Sequence, residues 1–579
     1  MSYRWCILLS SLLSVGCTAG DGKQEQSTGT QTPTDSETVE EPVEPAPEVD
    51  PDPLDALYAI DRVISVDIEL DPDDWETIRN ESRNLLDLLS GDCRDQPFGS
   101  PYTWFEASVT IDGETYDRIE VRKKGFIGSL SVDRPSLKLD LGEFEEDWTF
   151  EGARRLTLNN AVSDPSVVRQ CLTYGAFIDA GLPAPRCGFA RVHVNGEDLG
   201  LYVNVEPVKE PFLKHHWGDD SGNLYEGTLS DFTPTLSGTL EPKTNEDDTD
   251  LSDIQALVDA LDVSDDALID SLDEHMDLDQ FFSHWAMEVL TKHQDGYAAN
   301  TNNFYIYADP SDGRFDFITW GTDDTMSPYW WNGAGSPKSV FATGNITHRL
   351  YNTDAGQQRY LARLEELLDT VWQESVLLER LDRMEAALLA ELGDENTRTI
   401  EAGIAEVRRV VQTRRGEIEE ELASGPARWP WDPAAPFCVQ QLGEFDMSVS
   451  TTWGSLGEDW YTYGDAELAL VFEEESVLLE QVGAAAGNGD DGPLLLVAGI
   501  TSTGDEMLLV FFFPEAISTG PIEVDLIHAA GNLYVMGPGD TDYQYGGELG
   551  GTLSFSEAGS AYGDPVVATM DGGLYVWDW

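Results

Sequence analysis

Residues 425–436, GPARWPWDPAAP, divide the chain more sharply than any other stretch. Proline lacks an N–H and fixes φ, so neither a helix nor a central strand runs through four prolines in so short a space. Before the break, strand-like runs give way to long helical patterns such as QQRYLARLEELLDTVWQ and IEAGIAEVRRVVQTRRGEIEEEL. After it come only apolar runs with Gly-rich turns: AELALVF, PLLLVAGI, EMLLVFFF, GTLSFSEAG and GLYVWDW. The order predicts an α+β body over residues 56–424, a linker over 425–436 and a C-terminal β-sandwich domain over 437–579, with the aromatics of VWDW in its core.

Within the body, VISVDIEL alternates apolar and polar residues as a half-buried strand does, and Asp71 is placed to cap a short helix after it. Two hairpins are predicted by their turns, Asp112-Gly113 and Asn195-Gly196. PSVVRQCLTYGAFIDAG reads as a helix closed by Gly181, and LDQFFSHWAMEVLTKH as another.

The N-terminus reads as an export signal. MSYRWCILLSSLLSVGC has one Arg, an apolar run too short to span a bilayer, and small residues before Cys17. SVGC resembles a bacterial lipoprotein cleavage box, which makes 1–17 the signal peptide and Cys17 the lipidated residue. Residues 18–55, rich in Thr, Pro, Glu and Asp, cannot bury enough apolar surface to fold and are expected to be a disordered tether. No later run is long and apolar enough to predict a transmembrane helix. A membrane is therefore expected as a partner only through the lipid, and the expected location is the bacterial cell envelope, lipid-anchored in the outer membrane, or secreted. Lys+Arg number 34 against 108 Asp+Glu, a net charge of −74, and that field excludes nucleic acid as a partner. Beyond Cys6 and Cys17 the cysteines are Cys93, Cys171, Cys187 and Cys438, without a CxxC pair. Outside the cytoplasm they are expected to form disulfides, with three connectivities open.

The chemistry concentrates in DGYAANTNNFYIYADPSDGRFDFITWGTDDTM, residues 295–326, where carboxylates and carboxamides surround two strand-like runs and Arg314 is the one basic residue. Hard cations take carboxylate and amide oxygens, so the composition suits a metal–phosphate site. No G-x-S-x-G elbow or HExxH is present, which sets aside serine hydrolase and zinc protease chemistry.

Five blocks in order carry a resemblance to the spore coat CotH kinase family: residues 158–213 (LNNAVSDPSVVRQ through VEPVKEPFL), GNLYEG, DGYAANTNNFYIYAD, RFDFITWGTDDT and RRGEIEEEL. The likeness spans roughly 60–425. It implies an atypical protein-kinase-like fold that transfers phosphate from ATP to Ser of a protein substrate with Mg²⁺ or Mn²⁺. Such chemistry needs a cation on the phosphates, metal-holding oxygens and a carboxylate to orient the hydroxyl. The resemblance assigns Asp295 to that carboxylate and Lys138 to the phosphate. It gives Arg122, Lys138 and Glu206 to the nucleotide, Glu206 orienting the lysine. Asn303 and Asp323 fall to the metal, with Asp324 additional. Gly321 stands where the family's W-D-x-D block has its first Asp, and FIGS follows VRKKG where the family has Asn-Ser. These departures leave a second reading open, a catalytically degenerate surface protein with an adhesive or envelope-structural role.

Overall fold

The computed structural model describes residues 52–578 apart from 92, 247–249, 332, 334, 394–396, 436–437, 457–463, 473–474, 490–491 and 541. The predicted signal, Cys17 and nearly all of the tether lie outside the described residues.

The architecture is mixed α/β. Strands β1 (Val63–Leu70), β2 (Phe105–Ile111), β3 (Glu114–Lys124), β4 (Ser136–Asp140), β5 (Arg155–Asn159), β6 (Cys187–Val194) and β7 (Glu197–Val205) close into a barrel in the order β1-β2-β3-β4-β5-β7-β6. Both predicted hairpins form at their turns, with Asp112, Gly113, Asn195 and Gly196 all at positive φ as a type I′ connection requires. Parallel pairing of β1 with β6, Val63 opposite Phe189, completes the ring. Leu137, Leu139, Leu156 and Leu158 fill its interior with Val66 and Ile111. Strand alternation then turns Lys138 outward, and Arg122 opposite it shares that outer face, as does Lys124 two residues on.

Strands β8 (Leu224–Gly227), β9 (Glu241–Pro242), β10 (Phe304–Ala308) and β11 (Phe315–Thr319) form a second sheet, ordered β11-β10-β8-β9. Helices α1 (Arg169–Asp179), α2 (Leu278–Leu290), α3 (Asp354–Thr370), α4 (Glu374–Leu392) and α5 (Arg398–Leu422) share one large apolar core with it. Helix α2 is buried along most of its surface: Phe281 meets Phe317 of β11 at 4.8 Å, and Trp285 stacks on Tyr360 of α3 at 3.9 Å.

The C-terminal strands depart from the expected two-layer sandwich. They form one ten-stranded sheet whose first strand, Cys438–Thr452, pairs with the last, Pro565–Asp578, and also with Asp465–Phe472, so that the sheet closes on itself. Alternation along a strand sets which face is buried, but not whether the sheet's edges meet. Trp577 of VWDW lies outside that core. It packs with Tyr575, Leu526 and Ile527 around Leu85, Leu86, Leu89 and Val439, a small apolar seam between the C-terminal sheet and the segment preceding β2.

Of the open connectivities the structure has Cys93–Cys438 and Cys171–Cys187. The first crosses that seam and spans 345 residues of sequence. Cross-linking so long a loop removes much entropy from the unfolded chain, worth about 2–5 kcal/mol. A Cys93→Ser/Cys438→Ser double variant is expected to lose stability of that order, read as a lowered Tm. An unchanged melt would show that the apolar seam alone holds the two parts together.

Candidate active site

The outer face of β3–β4 meets the second sheet, and the residues at that junction fall into two groups of opposite charge.

The first group is cationic. The charge of Glu226 of β8 acts on Lys138. Lys243 joins Glu226 at 2.8 Å and Glu241 at 2.9 Å. Burial pushes the Lys138 ammonium down to about 7; Glu226 opposes that fall, while Arg122, Lys124 and Lys243 add to it. Burial also lowers Lys124, to about 8, with Asp323 and Glu226 opposing. Glu226 itself is pushed up by burial, but Lys243 and Lys138 outweigh that and hold it below the usual range. Arg122 donates to Ser100 Oγ and lies 4.8 Å from the Trp104 ring. Lys124 donates to Asn159 Oδ1 of β5. A half-neutral lysine beside other cations is a site short of an anion.

The second group is acidic and is built by the turn after α2. Glu288, fully buried, accepts from the N–H groups of Tyr297 and Ala298 at 2.8 Å each and folds the chain back. That turn presents Asp295. Its Oδ1 accepts from Asn300 (2.6 Å) and Asn302 (3.1 Å), and its Oδ2 from Asn303 (2.7 Å). Burial nevertheless pushes Asp295 up to about 7; Asn300 and Asn302 pull it down, while Asp323 and Asp324 push it further up. Burial likewise raises Asp323, which Lys124 opposes and Asp164 reinforces. Gln170 of α1 approaches Asp323 at 3.5 Å. Asp324 is raised to about 6 by burial, but it is committed elsewhere, to Trp331 Nε1 at 2.8 Å and Arg169 at 3.7 Å. Arg169 is anchored in turn by Asp164, which also accepts from the Arg169 N–H at 2.9 Å and so fixes the start of α1.

Buried carboxylates that raise one another's pKa suit a divalent cation, which would remove the repulsion. Among the described residues no three of His, Cys, Asp and Glu converge as a metal site by themselves. Mg²⁺ commonly takes one or two carboxylates and completes its shell with phosphate oxygens and water. The donor set therefore fits a metal that arrives with phosphates, with Asp323 the least committed carboxylate.

Of the residues expected from the sequence, Lys138 and Arg122 sit in the cationic group, and Asp295, Asn303 and Asp323 in the acidic one. Glu206 does not orient Lys138. It forks onto Arg186 at 2.7 and 3.0 Å, because the end of β7 points to the barrel's other side. The lysine's carboxylate is Glu226, in the quoted GNLYEG block but unassigned by pattern. Lys124 was legible from period 2, which puts it on the face of Arg122 and turns Lys123 inward. Asp164 and Arg169 are the two ends of the D-x-S-x-x-R run in the first family-like block, where no role was assigned to them; Lys243 carried no signal at this site.

Gly321 is the most constrained glycine of the site. It adopts φ +55°, and a Cβ there would overlap the Asn303 side chain that holds Asp295. A Gly321→Ala change is expected to cost about 1–3 kcal/mol in backbone strain and to displace Asn303. Gly321→Asp would do the same, so it would weaken the site instead of restoring the missing carboxylate. A Gly321→Asp protein with wild-type Tm and stronger metal binding would contradict this.

Residues 121–421, more than half of the chain, match the family model described as CotH kinase protein. The chain belongs to the CotH kinase family. It is 28% identical over 244 residues to the inner spore coat protein H of Bacillus subtilis (strain 168), covering 40% of this chain and 66% of the relative. It is 28% identical over 114 residues to an inner spore coat protein H-like protein of the same organism, covering 18% of this chain and 37% of that protein. The chain thus spans less than two thirds of either relative. The solved structure of the Helicobacter pylori proinflammatory kinase CtkA aligns at 9% identity with a TM-score of 0.28, over 53% of this chain and 95% of that one. A likeness at that level carries no argument. Both charge groups fall inside the CotH-matched residues, Arg122 at their edge.

Proposed function

We propose that this CotH-family chain is a metal-dependent protein kinase that transfers the terminal phosphate of ATP to a serine hydroxyl of a protein substrate. The observation that carries the reading is that two buried groups adjoin, one holding a lysine lowered to about 7 and the other a carboxylate raised to about 7, linked where Lys124 reaches Asp323 through Asn159 and Gln170. Phosphoryl transfer asks for that pair: a cation that gains charge on meeting phosphate, and a base poised near neutral pH. Mg²⁺ or Mn²⁺, held by Asp323 and the amide oxygen of Asn303, would supply charge neutralisation on the phosphates. Lys138, oriented by Glu226, would hold the phosphate chain. Asp295 would orient the serine Oγ and take its proton as the new O–P bond forms and the bond to the departing diphosphate breaks. Asn300, Asn302 and Asn303 would fix the carboxylate's plane.

The two disulfides support action outside the cytoplasm, in keeping with a lipid anchor at Cys17 in the cell envelope. A non-catalytic surface role is the second reading, favoured by Gly321 at the departed family position. Labelled ATP distinguishes the two. Transfer of its terminal phosphate to the chain itself or to an added serine-rich protein, abolished by EDTA and cut at least about a hundredfold by Asp295→Asn, is the expected result. Tight nucleotide binding with no transfer under either metal would favour the second reading.

A further inference from the structure

The segment before the family-matched residues brings a cation of its own to the site. Lys123, turned inward on β3 and 2% exposed, donates to the carbonyls of Arg79 and Glu81 at 2.6 Å each. That grip fixes the chain leaving the helix Pro72–Asn80 and carries Arg83 toward Arg122. The Arg83 guanidinium lies 4.9 Å from the Phe126 ring and 5.8 Å from the Tyr102 ring. Tyr102 is itself tied to β3's end, its hydroxyl donating to Gly125 O at 2.9 Å. The Nε atoms of Arg83 and Arg122 are both buried without a hydrogen-bond partner. Burial lowers both guanidinium groups; Tyr102, Glu226 and Glu241 oppose the fall in each, and Arg83 adds to it at Arg122.

Five cations (Arg83, Arg122, Lys124, Lys138, Lys243) thus face three carboxylates (Glu226, Glu241, Asp323), in a chain whose net charge is −74. Two desolvated guanidinium groups with unused donors suit phosphate, which takes their forked geometry. Their place decides which phosphate. Lys124 is linked to Asp323 through Asn159 and Gln170, whereas Arg122 stands two residues back along β3, opposite Lys138 and beside the Trp104 ring. The arginines therefore stand at the end of the cationic wall away from Asp295 and Asp323.

We propose that Arg83, with Arg122, binds the phosphates of the nucleotide that are not transferred, so that a residue outside the family-matched residues 121–421 completes the nucleotide site. This rests on the kinase reading above. It makes Arg83 a binding residue for ATP and ADP alike, with little part in the transfer step.

The test uses the full chain with Mg²⁺, titrated with ATP and with ADP, alongside transfer kinetics. Arg83→Gln is expected to weaken both nucleotides together by about tenfold to a hundredfold, the worth of a charge-assisted hydrogen bond or two. KM for ATP should rise with kcat within about twofold. Arg83→Lys, which keeps the charge without the fork, should recover part of the affinity, and it carries the test if Arg83→Gln does not melt as a folded protein. ATP and ADP affinities within twofold of wild type in a folded Arg83 variant would overturn the proposal alone. A wild-type chain that binds neither nucleotide would overturn the kinase reading beneath it.

Discussion

Replacing Asp295 by Asn is expected to cut phosphoryl transfer by about 10²–10⁴-fold, the usual worth of a general base, while leaving ATP affinity within a few fold. Asn keeps the shape and can still accept from Asn300 and Asn302 on its oxygen, while its amide nitrogen meets the Asn303 amide, which now donates to Oδ2 and would have to flip to present its oxygen; with that flip the turn should hold. The charge change should not harm the fold. The carboxyl's pKa is raised from 3.8 to about 7 in the folded chain, chiefly by burial. Such a group favours folding least where it must ionise: its contribution is fully present below about 3.8 and is lost as pH rises toward 7. The Asn variant should therefore match the wild type in acid and gain on it at pH 8, as read by thermal melts across that range. A variant that melts far below wild type at pH 8 would mean that Asp295 is a structural keystone.

The second large effect is expected at Lys138. Lys138→Met should weaken ATP by about a hundredfold, because a desolvated ammonium on phosphate exceeds an ordinary hydrogen bond. Glu226 would not be stranded, since Lys243 remains 2.8 Å from it. Here the linkage runs the other way. Lys138 is lowered from 10.5 to about 7, so keeping it charged costs the native state in full below 7, and the cost vanishes by about 10.5. The Met variant should thus be no less stable than wild type at pH 6. In the wild type, ATP binding near pH 8 should take up a proton, because phosphate restores the charge that burial removes. Calorimetry in two buffers of different ionisation enthalpy reads that proton, and Lys138→Met should abolish it. With Asp295 needed as carboxylate and Lys138 as ammonium, kcat/KM should be bell-shaped and narrow, with its maximum near neutral pH.

The hairpins and the outward turn of Lys138 were legible because they depend on local period and turn chemistry. SLKLD between two inward leucines leaves its lysine only one way to point, and Asn-Gly demands a tight reversal. The position of Asp295 just past an apolar helix was legible for the same reason. Glu226 was not, because its link to Lys138 exists only where β8 meets the barrel's outer face, and no spacing along the chain encodes that meeting. Glu206 failed as a prediction on similar grounds: the end of a strand can face either side of a barrel, and Arg186 decided it. The closure of the C-terminal sheet and the Cys93–Cys438 pairing are also products of long-range packing. Gly321 shows the reverse case. The sequence marks it as a missing carboxylate, whereas the structure makes it the glycine that leaves room for Asn303 to hold Asp295.

The most direct test of the site is calorimetric titration of the full chain with ATP in the presence of Mg²⁺, then Mn²⁺, then EDTA. Saturable binding of one nucleotide that requires the metal, and that Lys138→Met weakens by about a hundredfold, is the predicted result. Absence of binding with either metal, in a chain shown by its melt to be folded, would contradict the assignment of this junction as a nucleotide site.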